Sequence, residues 1–360
     1  MMIQLIYVLM LITSLLCSGV FFWRWHRHMD FSFTLFYIFT PITMLGYVLM
    51  AYSWDLGSMV TGLKVQYMGA IFMQLTVIMI IFSLCKIRLP RWLNFVMILI
   101  STIITASVMT IGVSPLFYKK QTLYRKNGII HLQKVYGPMH TVFLFWLLML
   151  LFVSLFVLIY ARLKIPEASI FNTILLFIAE FVTILAYLFG KRIRINFEMA
   201  SPAIVLSCII FLIIADRICL YNVDDTVMDT LIGQGNTGYL TFDFNHNYLG
   251  STRMAKKLIP QLKVAQVDKP LVNQELHDRV EEWLADFNKD EVSRDIYYKN
   301  NGKIYLIKVG FLLDGGRKRG YQIDILDDTR HREYLASIEA YNKNLNEELE
   351  KKTKMLEEMK

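Results

Sequence analysis

Acidic side chains are nearly missing from the first 220 residues. Only 6 Asp and Glu stand there against 17 Lys and Arg, whereas residues 221–360 hold 24 and 21. Charged residues make up 19% of the 360, below the roughly 25% of soluble domains. The net charge of +8 therefore belongs to the first part, where cations beside apolar runs suit anionic lipid headgroups. The second part has no basic stripe with interleaved aromatics, which excludes nucleic acid as a partner. Cysteine is sparse as well. Cys17, Cys85, Cys208 and Cys219 lie in or at the ends of apolar runs without paired spacing, so neither a disulfide framework nor a zinc site can be read from them. A phosphate loop is also lacking. Gly233-Gln234-Gly235-Asn236-Thr237-Gly238 precedes a strand instead of joining strand to helix, and no Lys follows it.

What the chain does have is apolar length. A helix needs about 20 apolar residues to cross the hydrocarbon core. Seven runs qualify: Ile3–Trp23, Phe31–Ser53, Tyr67–Cys85, Trp92–Ile111, Pro138–Tyr160, Ser169–Phe189 and Ala200–Leu220. Trp23, Trp54, Tyr67 and Trp92 stand near their ends, as interfacial aromatics do. The first run has no basic n-region and no small-residue cleavage site, so it reads as an uncleaved helix. Pro41 and Pro202 each interrupt a run. Arg24 and Arg27 follow the first run, and Lys86, Arg88 and Arg91 the third. By the positive-inside rule this puts the N-terminus outside and the C-terminus in the cytoplasm. Lys119, Lys120, Arg125, Lys126 and Lys134, and the cluster Lys191, Arg192 and Arg194, then fall outside, against the rule. Between residues 112 and 137, Asn127-Gly128 marks a hairpin turn flanked by Leu123-Tyr124 and Ile129-Ile130. A short two-stranded lid is expected there.

Some stretches carry a resemblance. Leu63-Lys64-Val65-Gln66-Tyr67-Met68-Gly69 opens the third run. Tyr136-Gly137-Pro138-Met139-His140 opens the fifth, with Phe145-Trp146 after it. Over about residues 1–220 the chain resembles the N-terminal seven-transmembrane region of bacterial sensor histidine kinases and related diguanylate cyclases. That resemblance implies a sensory region with its N-terminus outside. His140 stands where a bulky aromatic is expected.

Two residues are candidates for contact with an unknown small-molecule stimulus. Glu180 lies near the middle of the sixth run, and an ionisable residue inside a membrane is a functional-site hypothesis by default. Thr183 and Tyr187 share its helix face and are its expected neighbours. The plainer reading is a neutral acid that packs helices. His140 sits at the outer mouth of the fifth run, as a ligand contact or pH sensor or as a histidine bonded to backbone or water. Asp216-Arg217 closes the seventh run and anchors it at the interface. That run has no Lys, which excludes a retinal Schiff base.

From Gly238 the pattern becomes short and alternating. Tyr239–Phe244 and Tyr248-Leu249 read as strands, Arg253–Ile259 as a short helix, and Glu275–Phe287 as a helix with Leu276, Val280, Trp283, Leu284 and Phe287 on one face. Strands at Asp295–Lys299, Lys303–Leu313 and Gly320–Leu326 follow, with Asn301-Gly302 and Gly315-Gly316 as turns. Two strands, helices, then three strands is the order of a PAS domain. The exit Asp327-Asp328-Thr329-Arg330 resembles the Asp-x-Thr element that couples such a sheet to a following helix. A flavin adduct needs a reactive cysteine that this part lacks. As haem ligands His246 and His277 are outweighed by a turn and a polar-face placement, so no cofactor is expected. In the tail, Leu335, Ile338, Asn342, Leu345, Leu349, Lys352, Leu356 and Met359 recur in steps of three and four. This is the seam of a parallel coiled-coil dimer, with Asn342 fixing register. The plainer alternative is a monomeric helix lying on the sheet.

No phosphoacceptor box is present, because His331 is followed by Arg332-Glu333-Tyr334. Nucleotide-binding glycine boxes, a GGDEF stretch and an assembled nucleophile are absent too. No catalytic domain is expected within this chain. The expected fold is an α-helical membrane bundle of seven transmembrane helices (1–220), a linker (221–237), a soluble α+β PAS-like domain (238–330) and a coiled-coil helix (331–360). The expected function is a bacterial plasma-membrane receptor. It passes an outside or intramembrane stimulus to a kinase or cyclase, in cis beyond Lys360 or in trans. A transporter or channel with a regulatory PAS module is the competing reading, and a dimerising scaffold the third.

Overall fold

The computed structural model describes all residues except 1, 25–29, 127–128, 166–167, 191–197, 222–236, 301, 315–316 and 359–360. Most of the expected linker, the turns Asn127-Gly128 and Gly315-Gly316, the cluster at 191–194, Met359 and the Leu356 side chain lie outside the described residues. The chain divides into two units, Met1–Cys219 and Leu220–Lys360.

The first unit holds α1 (Met2–Trp23), α2 (Phe31–Ala51), α3 (Leu56–Leu84), α4 (Arg91–Met109), β1 (Tyr118–Lys126), β2 (Ile129–Tyr136), α5 (Pro138–Lys164), α6 (Ile170–Gly190) and α7 (Ala200–Tyr221). All seven helices are long and apolar enough to cross a membrane. Phe95, Phe145, Phe152 and Phe156 are each about two-thirds exposed, as side chains that face lipid must be. α3 packs against α2, α4, α5 and α6.

α3 begins at Leu56, well before the expected Tyr67. Asp55 starts it with a capping box. Its carboxylate accepts from the Ser58 N–H at 3.0 Å, and the Ser58 hydroxyl accepts from the Asp55 N–H at 3.3 Å, satisfying donors a bare helix start would leave open. Lys64 and Gln66 dilute the apolar pattern over these turns and hide them from a hydropathy reading. Tyr67 is consequently inside the helix and not at its interface. α2 runs unbroken through Pro41, and Pro202 falls in the first turn of α7, where its missing N–H costs no hydrogen bond.

α2 and α3 form a close antiparallel pair. A β-carbon on Gly46 would lie 2.3 Å from the Gln66 backbone nitrogen, one on Gly69 2.6 Å from that of Thr43, and one on Gly62 2.7 Å from that of Met50. Small residues let helix backbones approach closely in a membrane. β1 and β2 pair antiparallel from Lys126↔Ile129 to Tyr118↔Tyr136. The lid is a full hairpin, longer than expected.

The second unit holds β3 (Thr237–Phe242), β4 (Tyr248–Ser251), α8 (Arg253–Leu258), a 3-10 turn (Pro260–Val264), α9 (Gln274–Asp290), β5 (Ile296–Asn300), β6 (Lys303–Asp314), β7 (Arg317–Asp327) and α10 (Thr329–Glu358). The strands form one antiparallel sheet in the order β4-β3-β7-β6-β5. The α9 stripe Leu276, Val280, Trp283, Leu284 and Phe287 is buried, together with Leu240, Ile307, Val309, Ile323 and Ile325 of the sheet. The Asn273 side chain caps α9 at its start.

Candidate functional site

Glu180 is 4% exposed on α6. Its polar neighbour comes from α3, where the Gln74 side chain is buried beside it and 5% exposed. Glu180 Oε2 and Gln74 Nε2 are both buried without a hydrogen-bond partner among the described residues. The pair thus keeps one open acceptor position beside one open donor. The expected neighbour Thr183 instead donates its hydroxyl to the Ala179 carbonyl at 2.9 Å. Tyr187, the other, lies within electrostatic reach of Tyr136 and Tyr118 near the hairpin. Sequence reading missed Gln74 because its partner is a residue on another helix.

His140 is not open at a mouth. It sits in the first turn of α5, 7% exposed, beneath the hairpin. Its ring stacks on Tyr136 with centroids 4.0 Å apart and lies 5.4 Å from Phe117 and 5.6 Å from Tyr118. Tyr118 hydroxyl meets that of Tyr67 at 2.7 Å, and burial pushes the Tyr118 phenol well above its ordinary pKa. The hairpin is fastened here by main-chain bonds. The Gly137 N–H donates to Phe117 O at 2.9 Å and the Met139 N–H to Leu116 O at 3.0 Å. His140 and Glu180 are not brought together, since Glu180 lies about 15 Å along α6 from its Gly190 end.

Asp216 and Arg217 do not pair with each other. Asp216 takes the Arg24 guanidinium at 2.9 Å, and Arg217 lies over the Phe171 ring at 4.1 Å. A one-turn helical stretch points consecutive side chains in different directions, so each finds its own partner.

At the sheet exit, Asp327 and Thr329 form a knot. The Thr329 hydroxyl donates to Asp327 Oδ1 at 2.6 Å and accepts from the Ile304 N–H at 3.0 Å. Lys303 Nζ donates to Asp327 Oδ2 at 3.0 Å. Together, the Thr329 hydroxyl first and the Lys303 ammonium after it hold the Asp327 carboxyl below its ordinary range. Arg332, one turn on, lies 3.7 Å over the Tyr297 ring of β5. The start of α10 is therefore tied to β5 and β6.

From Ala336 to Lys354 α10 is exposed. Ile338, Leu345 and Leu349 are 37%, 43% and 55% exposed, Asn342 is exposed and Leu335 half-buried. Among the described seam residues, Ile338, Asn342, Leu345 and Leu349 are therefore left uncovered by their own chain. His246 differs from its expected solvated state, with Nδ1 2.7 Å from a Glu281 oxygen. His277 is partly buried on α9.

No curated protein matches the chain. Residues 9–223 match the model of the N-terminal 7TM region of histidine kinase. That match covers most of the first apolar helix, all of the other six and more than half of the chain. With the geometry above it places the protein in that family: this chain carries the seven-transmembrane membrane sensory region of histidine kinases, followed by a unit of strands and helices.

Proposed function

We propose that the chain is the sensory and transmitting part of a bacterial receptor of the histidine kinase or diguanylate cyclase type. It resides in the plasma membrane, N-terminus outside and C-terminus in the cytoplasm. A stimulus reaching Glu180 or His140 shifts the packing of the bundle. The second unit acts as a PAS domain and receives the shift through the linker at 221–237. Asp327 and Thr329 hand it to α10, which pairs with a second copy as a parallel coiled coil. The output is a kinase or cyclase, in cis or in trans.

The observation that carries this reading is the knot of Asp327, Thr329 and Ile304 at the head of a long helix with an uncovered apolar seam. A helix start bonded to a sheet moves with that sheet. A seam of Leu335, Ile338, Leu345 and Leu349 requires another apolar surface in water. A ligand drives such a relay only through different affinities for two states.

The test uses the full chain in bacterial membranes, with Leu345→Cys or Leu349→Cys and reporters fused after Lys360. Same-position cross-links and cytoplasmic reporter activity are expected. Extracellular reporter activity, or a chain that never self-associates, overturns the reading. With an output domain joined, Glu180→Leu and His140→Phe should alter signalling while seam cross-links persist. Unchanged signalling would indicate a scaffold.

A further inference from the structure

α1 and α7 run parallel, and a bond near each end sets their register. The Tyr7 hydroxyl accepts from the Glu198 N–H at 3.1 Å, across 191 residues. The Arg24 guanidinium meets Asp216 at 2.9 Å, across 192 residues. Cys17 and Cys208 share this offset, so they face each other between those two bonds, within one buried apolar core. Tyr37 of α2 braces the place. Its hydroxyl donates to the Cys208 carbonyl at 3.1 Å, and its own carbonyl accepts from Ser18, next to Cys17, at 2.8 Å. Cys17 is 8% and Cys208 0% exposed, whereas the adjacent Leu16 is 64% exposed on the lipid side.

We propose that Cys17 and Cys208 form a redox-modifiable thiol pair, closed to a disulfide by a lipid-soluble quinone. The surroundings select the oxidant. A charged oxidant would have to shed its hydration to reach two apolar helix faces, whereas a quinone is neutral and dissolves among acyl chains. In the step, two S–H bonds break and one S–S bond forms. Two electrons and two protons pass to the quinone oxygens and yield the quinol, so no charged product remains in hydrocarbon. The bond ties α1 covalently to α7. Cys85 is fully buried at the end of α3 with no thiol neighbour among the described residues, which makes it an internal control. This assignment does not depend on the receptor reading.

The test takes the full chain in lipid nanodiscs, reduced and then exposed to decylubiquinone. Intact mass should fall by two hydrogens, and digestion should release a Cys17–Cys208 peptide pair that dithiothreitol separates. Cys17→Ser and Cys208→Ser should each abolish the change, and Cys85→Ser should keep it. Cys208→Ala, which keeps the position apolar, replaces Cys208→Ser if the latter does not fold. An unchanged mass, a quinone adduct on a single cysteine, or a cross-link through Cys85 overturns the proposal. Closure by the charged oxidant tetrathionate as fast as by decylubiquinone overturns the choice of oxidant and with it the proposal.

Discussion

Gly46 of α2 lies so close to Gln66 of α3 that no side chain fits between them. Backbone faces backbone at this point, and neither helix has a flexible group that could give way. Gly46→Ala is expected to force the pair apart and destabilise the bundle by about 1–3 kcal/mol, the usual cost of overpacking. Gly19, with nothing within 4 Å of its would-be β-carbon, is the matched control. Thermal unfolding in detergent should show a clear loss for Gly46→Ala and none for Gly19→Ala. Equal midpoints would refute the close approach.

The Gln74–Glu180 pair predicts non-additivity. Gln74→Leu leaves a buried carboxyl without its polar neighbour and should cost about 1–3 kcal/mol. Removing both polar groups, as Gln74→Leu with Glu180→Leu, should restore most of that stability, since an apolar pair needs no hydrogen bonds. An additive double mutant would show that the two groups do not interact. The double variant also separates packing from sensing, because a stable bundle that no longer responds assigns Glu180 to the stimulus.

The exit knot predicts a pH dependence. Hydrogen bonds from Thr329 and Lys303 stabilise the charged form of Asp327 and depress its folded-state pKa. Its contribution is therefore complete above the unfolded carboxylate value, about 3.9, and is lost as pH falls through the folded value. Thr329→Val keeps the shape but removes the hydroxyl, at a cost of about 1 kcal/mol. Unfolding followed from pH 7 to pH 3 should show the gap between wild type and Asp327→Asn narrowing toward the acid end. A gap that holds constant would remove the carboxylate from the account.

Asn342 gives a prediction of specificity. In the paired-helix reading its amide sets register and favours two parallel strands at some cost in stability. Asn342→Leu should strengthen association and admit higher oligomers, whereas Leu345→Asp with Leu349→Asp should weaken it. Light scattering of the full chain in nanodiscs reads both. A chain whose mass ignores all three substitutions would leave the seam without a partner helix.

Periodicity revealed most of the architecture. The seven apolar runs, the α9 stripe and the three closing strands are visible because burial repeats along a single element. Contacts between elements were not. Gln74, the Arg24–Asp216 pair and the facing thiols depend on which helix neighbours which, and nothing local in the chain encodes that. The start of α3 was missed for another reason. Asp55 and Ser58 carry the signal, but a hydropathy reading passes over polar residues that cap a helix. The burial of His140 is equally hidden, because its cover, Tyr136, belongs to a strand whose docking rests on main-chain bonds.

α3 has a further consequence. Its 29 residues extend about 43 Å, against an apolar slab of about 30 Å. The surplus must either stand clear of the acyl chains or be absorbed as tilt, and thinner bilayers demand more tilt of the same rod. Because α2 is pressed onto α3 along its glycines, and the hairpin leans on Tyr67, any change of inclination sweeps those parts along as a lever. The thickness of the surrounding lipid is thus a mechanical force on this bundle, acting before any solute arrives.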